Sequence, residues 1–165
     1  MKKILLVSPL YDSELSMYVV AGNYEKTTNS RLFDGAKASI APLHLATIAA
    51  LTPDDIEVKI WDEQVHGLFD ESVDTDGYDL VGVTGYSVHF KRAVKIASVI
   101  RQRGIPAVVG GCGVTSAPEY YREHFDVLFI GESEYTWPQF IEDWKAGHYH
   151  KEYRQITKPE LSDTP

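Results

Sequence analysis

Two short stretches of this chain carry residue types that can do chemistry. The first is Gly110-Gly111-Cys112-Gly113, where the only cysteine sits among glycines. A thiol exposed in such a loop can ionise and act as a nucleophile or a metal ligand. The competing reading is a small residue that packs in a tight turn. The second stretch is Gly131-Glu132-Ser133-Glu134. Its carboxylates are a candidate acid and base pair, or acids that favour the N-terminus of the helix after them. Gly111 and Gly113 also supply the first two glycines of the dinucleotide pattern G-x-G-x-x-G, with Glu132 near the expected acidic position. That pattern belongs between a first strand and its helix. Here it follows a fourth strand, and the next helix is expected only from Pro118. The Walker A pattern is absent. Thr84-Gly85-Tyr86-Ser87 adds a third cluster of hydroxyls and glycine.

All three clusters end apolar runs: Leu80–Val83, Ala107–Val109 and Asp126–Ile130. In an open parallel sheet, ligands bind outside the carboxyl ends of the strands. Glycine there lets a large ligand lie against the backbone. Residues 3–7 read as a first strand buried on both faces. Ile56–Trp61 alternates apolar and polar, as a strand nearer a sheet edge does. Between the third and fourth strands, Phe90, Ala93, Val94, Ile96, Ala97 and Ile100 recur at helical spacing, with Ser87 as the expected N-cap and Gly104 as the stop. Pro42 opens a helix through Leu51, and a last helix runs from about Tyr135 to Lys145. Five strands alternating with helices predict an α/β, flavodoxin-like (Rossmann-like) doubly wound parallel sheet of order 2-1-3-4-5, with right-handed crossovers.

The 165 residues with a formal charge of −8 are expected to form one domain over residues 1–147. Residues 11–41 lack periodicity and read as a long loop or lid, and residues 148–165 as a polar linker toward a further domain. The acidic balance excludes a nucleic-acid partner. No apolar run is long enough to span a membrane, and a cytoplasmic location is expected. A single cysteine excludes an internal disulfide. Phosphoryl receiver domains share the strand order but need an acidic cluster after strand one and an aspartate after strand three. Here those ends read Val7-Ser8-Pro9 and Thr84-Gly85.

Five segments, in order, resemble a known family. They are Lys3–Pro9, Ala41–Leu51, Val58–Asp62, Val108–Gly111 with Thr115 and Pro118-Glu119, and Ile130–Glu134 with Trp137-Pro138. They resemble the N-terminal cobalamin (B12)-binding domain of class B radical S-adenosylmethionine enzymes over nearly the whole chain. The resemblance implies a corrinoid over the strand ends with its nucleotide tail along the sheet. Ser8 and Pro9 would border it, and Thr84, Gly85, Tyr86 and Ser87 would line the tail. Gly110 and Gly111, with Cys112 and Gly113, would let the benzimidazole end pass. Gly131, Glu132 and Glu134 would bond the ribose or the corrin amides.

Three departures from the family pattern stand out. The D-x-H-x-x-G motif that supplies a cobalt-ligating histidine is missing, since no histidine precedes His44 and Asp62–Gly67 has the wrong spacing. His44, His66 and His89 are expected as surface or helix residues. The family often has Pro-His after the double glycine, where Cys112-Gly113 stand here. The radical half needs C-x-x-x-C-x-x-C for a 4Fe–4S cluster, so the resemblance places that cluster and S-adenosylmethionine in a C-terminal domain outside this chain. The expected function is a cobalamin-binding module of a methyltransferase or tetrapyrrole cyclase, not catalytic alone. The alternatives are a flavin- or dinucleotide-binding domain, or a ligand-free interaction module.

Overall fold

The computed structural model describes residues 1–10, 41–155, 157–160 and 162. The expected lid over residues 11–41 lies, but for Ala41, outside the described residues. Six parallel strands form one sheet in the order β2-β1-β3-β4-β5-β6. The strands are β1 (Lys2–Ser8), β2 (Ile56–Asp62), β3 (Leu80–Thr84), β4 (Ala107–Gly110), β5 (Val127–Ile130) and β6 (Glu152–Arg154). The five-strand order read from the sequence is contained in this sheet, and β2 lies at one edge.

The sixth strand departs from the reading of residues 148–165 as linker only. Leu128 pairs with Glu152 and Ile130 with Arg154, so the sheet continues past Gly147. Three residues are too few to show an alternation. The one apolar side chain, Tyr153, is buried against Phe129 with ring centroids 5.6 Å apart.

Side-chain alternation sorts the sheet into two faces. Leu5, Val7, Val81, Val83, Val109 and Leu128 pack against α3 (Phe90–Gln102) and the short α4 (Cys112–Ser116). Ile4, Leu6, Leu80, Val108 and Phe129 face α1 (Leu43–Ala50) and α5 (Thr136–Lys145). On α5, Trp137, Phe140, Ile141 and Trp144 form the buried stripe that their spacing predicts. On α3, the apolar face is buried and Lys91, Lys95, Ser98 and Gln102 are exposed. The helix starts at Phe90, after a 3-10 turn at Ser87–His89, so Ser87 is not its N-cap. The chain after β4 also differs from expectation. Helix α4 begins at Cys112, directly after Gly111, rather than waiting for Pro118, where a second 3-10 turn begins.

Two aspartates set the strand heights. Asp79 precedes β3; its N–H donates to Lys3 O at 2.9 Å, and its Oδ2 accepts from Lys3 N at 2.7 Å. Asp126 precedes β5 and makes the same pair of bonds to Ala107, both at 2.8 Å. Each aspartate thus adds a side-chain rung at the amino edge of the sheet. That rung fixes the register, and with it the level at which the opposite, carboxyl ends emerge. Among the described residues no helix is long and apolar enough to cross a membrane.

Candidate functional site

The carboxyl ends of β1, β3, β4 and β5 open into a cleft of about 700 Å³ that continues down the sheet between α1 and α5. Three glycines shape it. Gly82 is a residue without a side chain in the middle of a buried strand. A Cβ there would come within 2.9 Å of Leu6 Cδ2 and 3.6 Å of Val108 Cγ2. Gly110, at the end of β4, faces the same side and leaves the space over Phe129 free. Gly111 has φ +116° and is held against the β3 end, where a Cβ would sit 2.8 Å from Gly85 O. L-residues rarely adopt that conformation, so the close approach of the two strand ends requires glycine.

Of the residues singled out from sequence, Ser8, Pro9, Thr84, Gly85, Tyr86, Gly110, Gly111, Cys112, Gly131, Glu132 and Glu134 line the cleft. Ser87 and Gly113 do not. They pack on each other instead, Gly113 being buried with its Cα facing Ser87 N and Tyr121 Oη. Cys112 is exposed, which rules out the buried-packing reading of its thiol. Among the described residues no three His, Cys, Asp or Glu side chains converge as a metal-holding group.

The glutamates divide. Glu132 is exposed at the rim. Glu134 is half-buried, and its Oε2 is sealed from solvent without a hydrogen-bond partner among the described residues. A buried acceptor left unpaired costs free energy that a ligand N–H or O–H recovers. Thr115 holds the neighbouring backbone, since its hydroxyl oxygen accepts from Gly131 N at 2.9 Å.

Sequence reasoning missed the α1 wall (His44, Leu45, Thr47 and Ile48) and the floor residues Leu6, Gly82, Val108 and Phe129. Gly82 was the available signal, a glycine inside a run that otherwise reads as core strand. It also missed His89, which is buried and lines the cleft. His89 Nδ1 accepts the Tyr86 N–H at 3.2 Å, which requires the neutral ring. Burial lowers its pKa, the nearby His44 lowers it further, and Glu63 opposes the shift. The unfolded chain therefore binds this proton more readily than the fold. The stabilisation is present above the ordinary histidine value of about 6.5 and is lost as pH falls below it through the lowered folded value. The expected result is a lower melting temperature at pH 5.5 than at pH 7.5. His89→Asn keeps a side-chain acceptor without the titration and should flatten that difference; thermal melts at both pH values check it.

The model of the B12 binding domain matches residues 33–141. The chain belongs to the B12-binding domain family. Its curated relatives include methyltransferases. The bacteriochlorophyllide d C-8(2)-methyltransferase of Chlorobaculum tepidum is 30% identical over 111 residues, 67% of this chain and 24% of the relative. The hopanoid C-2 methylase of Rhodopseudomonas palustris is 28% identical over 131 residues, 79% of this chain and 23% of the relative. The chain thus spans about a quarter of the length of these relatives. Among solved structures, the radical S-adenosylmethionine methyltransferase TsrM from Kitasatospora setae, with cobalamin and a 4Fe–4S cluster bound, shares the fold. The TM-score is 0.58 at 19% identity, over 90% of this chain and 27% of that one.

The cleft residues of this B12-binding domain fit a corrinoid on two structural counts. Gly82 lets Leu6 and Val108 close a low, apolar floor, since a Cβ there would sit 2.9 Å from Leu6 Cδ2, and the orphaned Glu134 oxygen offers an acceptor to the amide or hydroxyl donors such a cofactor carries.

Proposed function

We propose that this chain is the cobalamin-binding module of a radical S-adenosylmethionine methyltransferase. The observation that carries the reading is the glycine-floored groove, which starts at a polar mouth and ends between α1 and α5. Membership of the B12-binding family and the methyltransferase names of the relatives support it.

When bound, cobalamin supplies a cobalt centre that carries a methyl group, so the protein's part is binding and orientation. Gly82 and Gly110 leave room for the nucleotide tail. Ser8 and Thr84 present hydroxyls at the mouth, and Glu134 accepts a hydrogen bond from a side amide or ribose hydroxyl. Leu6, Val108, Phe129 and Trp137 keep water from the groove. The chain has one cysteine where a radical S-adenosylmethionine cluster needs three. The 4Fe–4S cluster and the S-adenosylmethionine site therefore belong, in this reading, to a domain outside this sequence.

The test is retention. Purified protein is incubated with hydroxocobalamin, desalted, and its absorption spectrum recorded. Near-stoichiometric corrinoid is expected, with the spectrum of a cobalt free of both benzimidazole and histidine, because the tail is taken up by the groove and the D-x-H-x-x-G histidine is absent. A chain folded by circular dichroism that retains no corrinoid overturns the proposal.

A further inference from the structure

We infer that the groove sorts cobamides by their lower base: it accepts corrinoids with an apolar aromatic base, such as dimethylbenzimidazole or a cresol, and discriminates against those with adenine. The inference rests on the cobalamin reading above and adds to it the chemical class of the tail.

Polarity changes abruptly along the groove. Across β1, β3 and β4 one row of the floor consists of Leu6, Gly82 and Val108, with Leu6 opposite Gly82 and Gly82 opposite Val108. Two residues further along each strand, on the same face, stand Ser8, Thr84 and Gly110. A two-residue step in a parallel strand is about 6.6 Å. The mouth row therefore carries two hydroxyls, and the row just below it carries only hydrocarbon and a glycine. The walls beside that row are apolar too, Leu45 and Ile48 of α1 and Trp137 of α5, while Phe129 of β5 stands level with Gly110 and carries the apolar surface up to the mouth.

The polar side chains of Trp137, Thr52 and Thr47 are already engaged, and the unpaired Glu134 oxygen belongs to the loop after β5 at the mouth. Trp137 Nε1 donates to Thr52 Oγ1 at 2.9 Å, and that hydroxyl donates to Ile48 O at 2.8 Å. The Thr47 hydroxyl donates back to Leu43 O at 3.2 Å. Strands β1, β3 and β4 are interior and paired on both sides, so their N–H and C=O groups lie in the sheet ladders. An adenine placed on this floor gives up water at its amino group and ring nitrogens and finds no set of partners to replace it. Dimethylbenzimidazole loses little by the same transfer, and a cresol ring has no nitrogen to desolvate. Because the cresol base also cannot coordinate cobalt, it separates base polarity from metal ligation.

The experiment is equilibrium dialysis of the protein against dimethylbenzimidazolyl, cresolyl and adeninyl cobamides, followed by corrinoid absorbance. The first two are expected to bind within about threefold of each other and the adeninyl form at least about tenfold more weakly. Val108→Thr, which places a hydroxyl in the floor row at nearly constant volume, should narrow that gap. Equal or tighter binding of the adeninyl cobamide overturns the inference and leaves the cofactor reading standing. Binding of none of the three overturns both.

Discussion

Arg92→Leu is expected to destabilise the domain by about 3–5 kcal/mol, the usual cost of stranding one partner of a buried ion pair. The Glu63 side chain is 0% exposed and that of Arg92 is 15% exposed. Arg92 Nε lies 3.1 and 3.0 Å from the two carboxylate oxygens, and its Nη2 bonds Glu63 Oε1 as well. The same Nη2 donates to Phe69 O at 2.8 Å. Glu63 Oε1 accepts from Phe69 N at 2.6 Å and Oε2 from Leu10 N at 2.8 Å. One pair thus ties together α2 (Glu63–His66) at the carboxyl end of β2, the loop that follows it, the first turn of α3 and the chain leaving β1. Losing either member leaves the other's donors or acceptors unpaired in a dry setting. Native domains are stable by only about 5–15 kcal/mol, so the effect is a large fraction of the total. Urea melts of Arg92→Leu, Glu63→Ala and the double variant measure it. The double variant should cost clearly less than the sum of the singles, since the two residues act as a unit. A pair of single variants within 1 kcal/mol of the parent would show that the contact is not structural.

The bond to Leu10 N connects this pair to function. Ser8 and Pro9, just before Leu10, border the cleft. Glu63→Ala should therefore weaken corrinoid retention even at temperatures where the sheet remains folded.

Gly110→Leu should cost roughly 10–100-fold in cobalamin affinity, the equivalent of about 1.4–2.8 kcal/mol of overpacking where the tail enters. Position 110 suits this test better than the adjacent glycine. Gly110 is not among the glycines with positive φ, and a Cβ on it meets Phe129 Cβ at 3.4 Å, an ordinary contact. A leucine can therefore be seated with the fold intact while its branches fill the mouth of the groove. At Gly111 the positive φ and the nearby Gly85 carbonyl would perturb the two loops themselves, so lost binding there would say nothing about the channel. Equilibrium dialysis gives the affinity, and a melting curve confirms that the variant is folded. A Gly110→Leu protein that binds cobalamin as well as the parent does would show that the tail does not pass position 110.

The amino-acid sequence by itself determined the layers of this protein and the edge of the sheet where the cleft opens. Alternating apolar runs and helical stripes are local patterns, and each reports which face an element buries. Trp137, Phe140, Ile141 and Trp144 declare one face of α5 wherever that helix packs. Clusters of Gly, Ser and Thr after successive strands mark the carboxyl edge, because a doubly wound sheet brings all such ends together. The resemblance of the ordered segments to B12-binding domains was likewise legible in one dimension.

Tertiary structure decided the rest, because the remaining features depend on what lies opposite a residue rather than beside it. The sixth strand exists because Tyr153 finds Phe129 across the edge of β5. Three residues carry no period from which this could be read. The Glu63–Arg92 pair joins positions 29 apart in sequence. Gly82 becomes the floor of a groove only because register sets it between Leu6 and Val108. Ser87 and Gly113 lie outside the cleft because each fills the space against the other. His89 reads as one more helix residue until the fold buries it at the cleft with its Nδ1 accepting a backbone N–H. Composition and spacing name the groups a chain can offer. Their burial, partners and distance to one another are pairwise quantities, and only the packed molecule sets them.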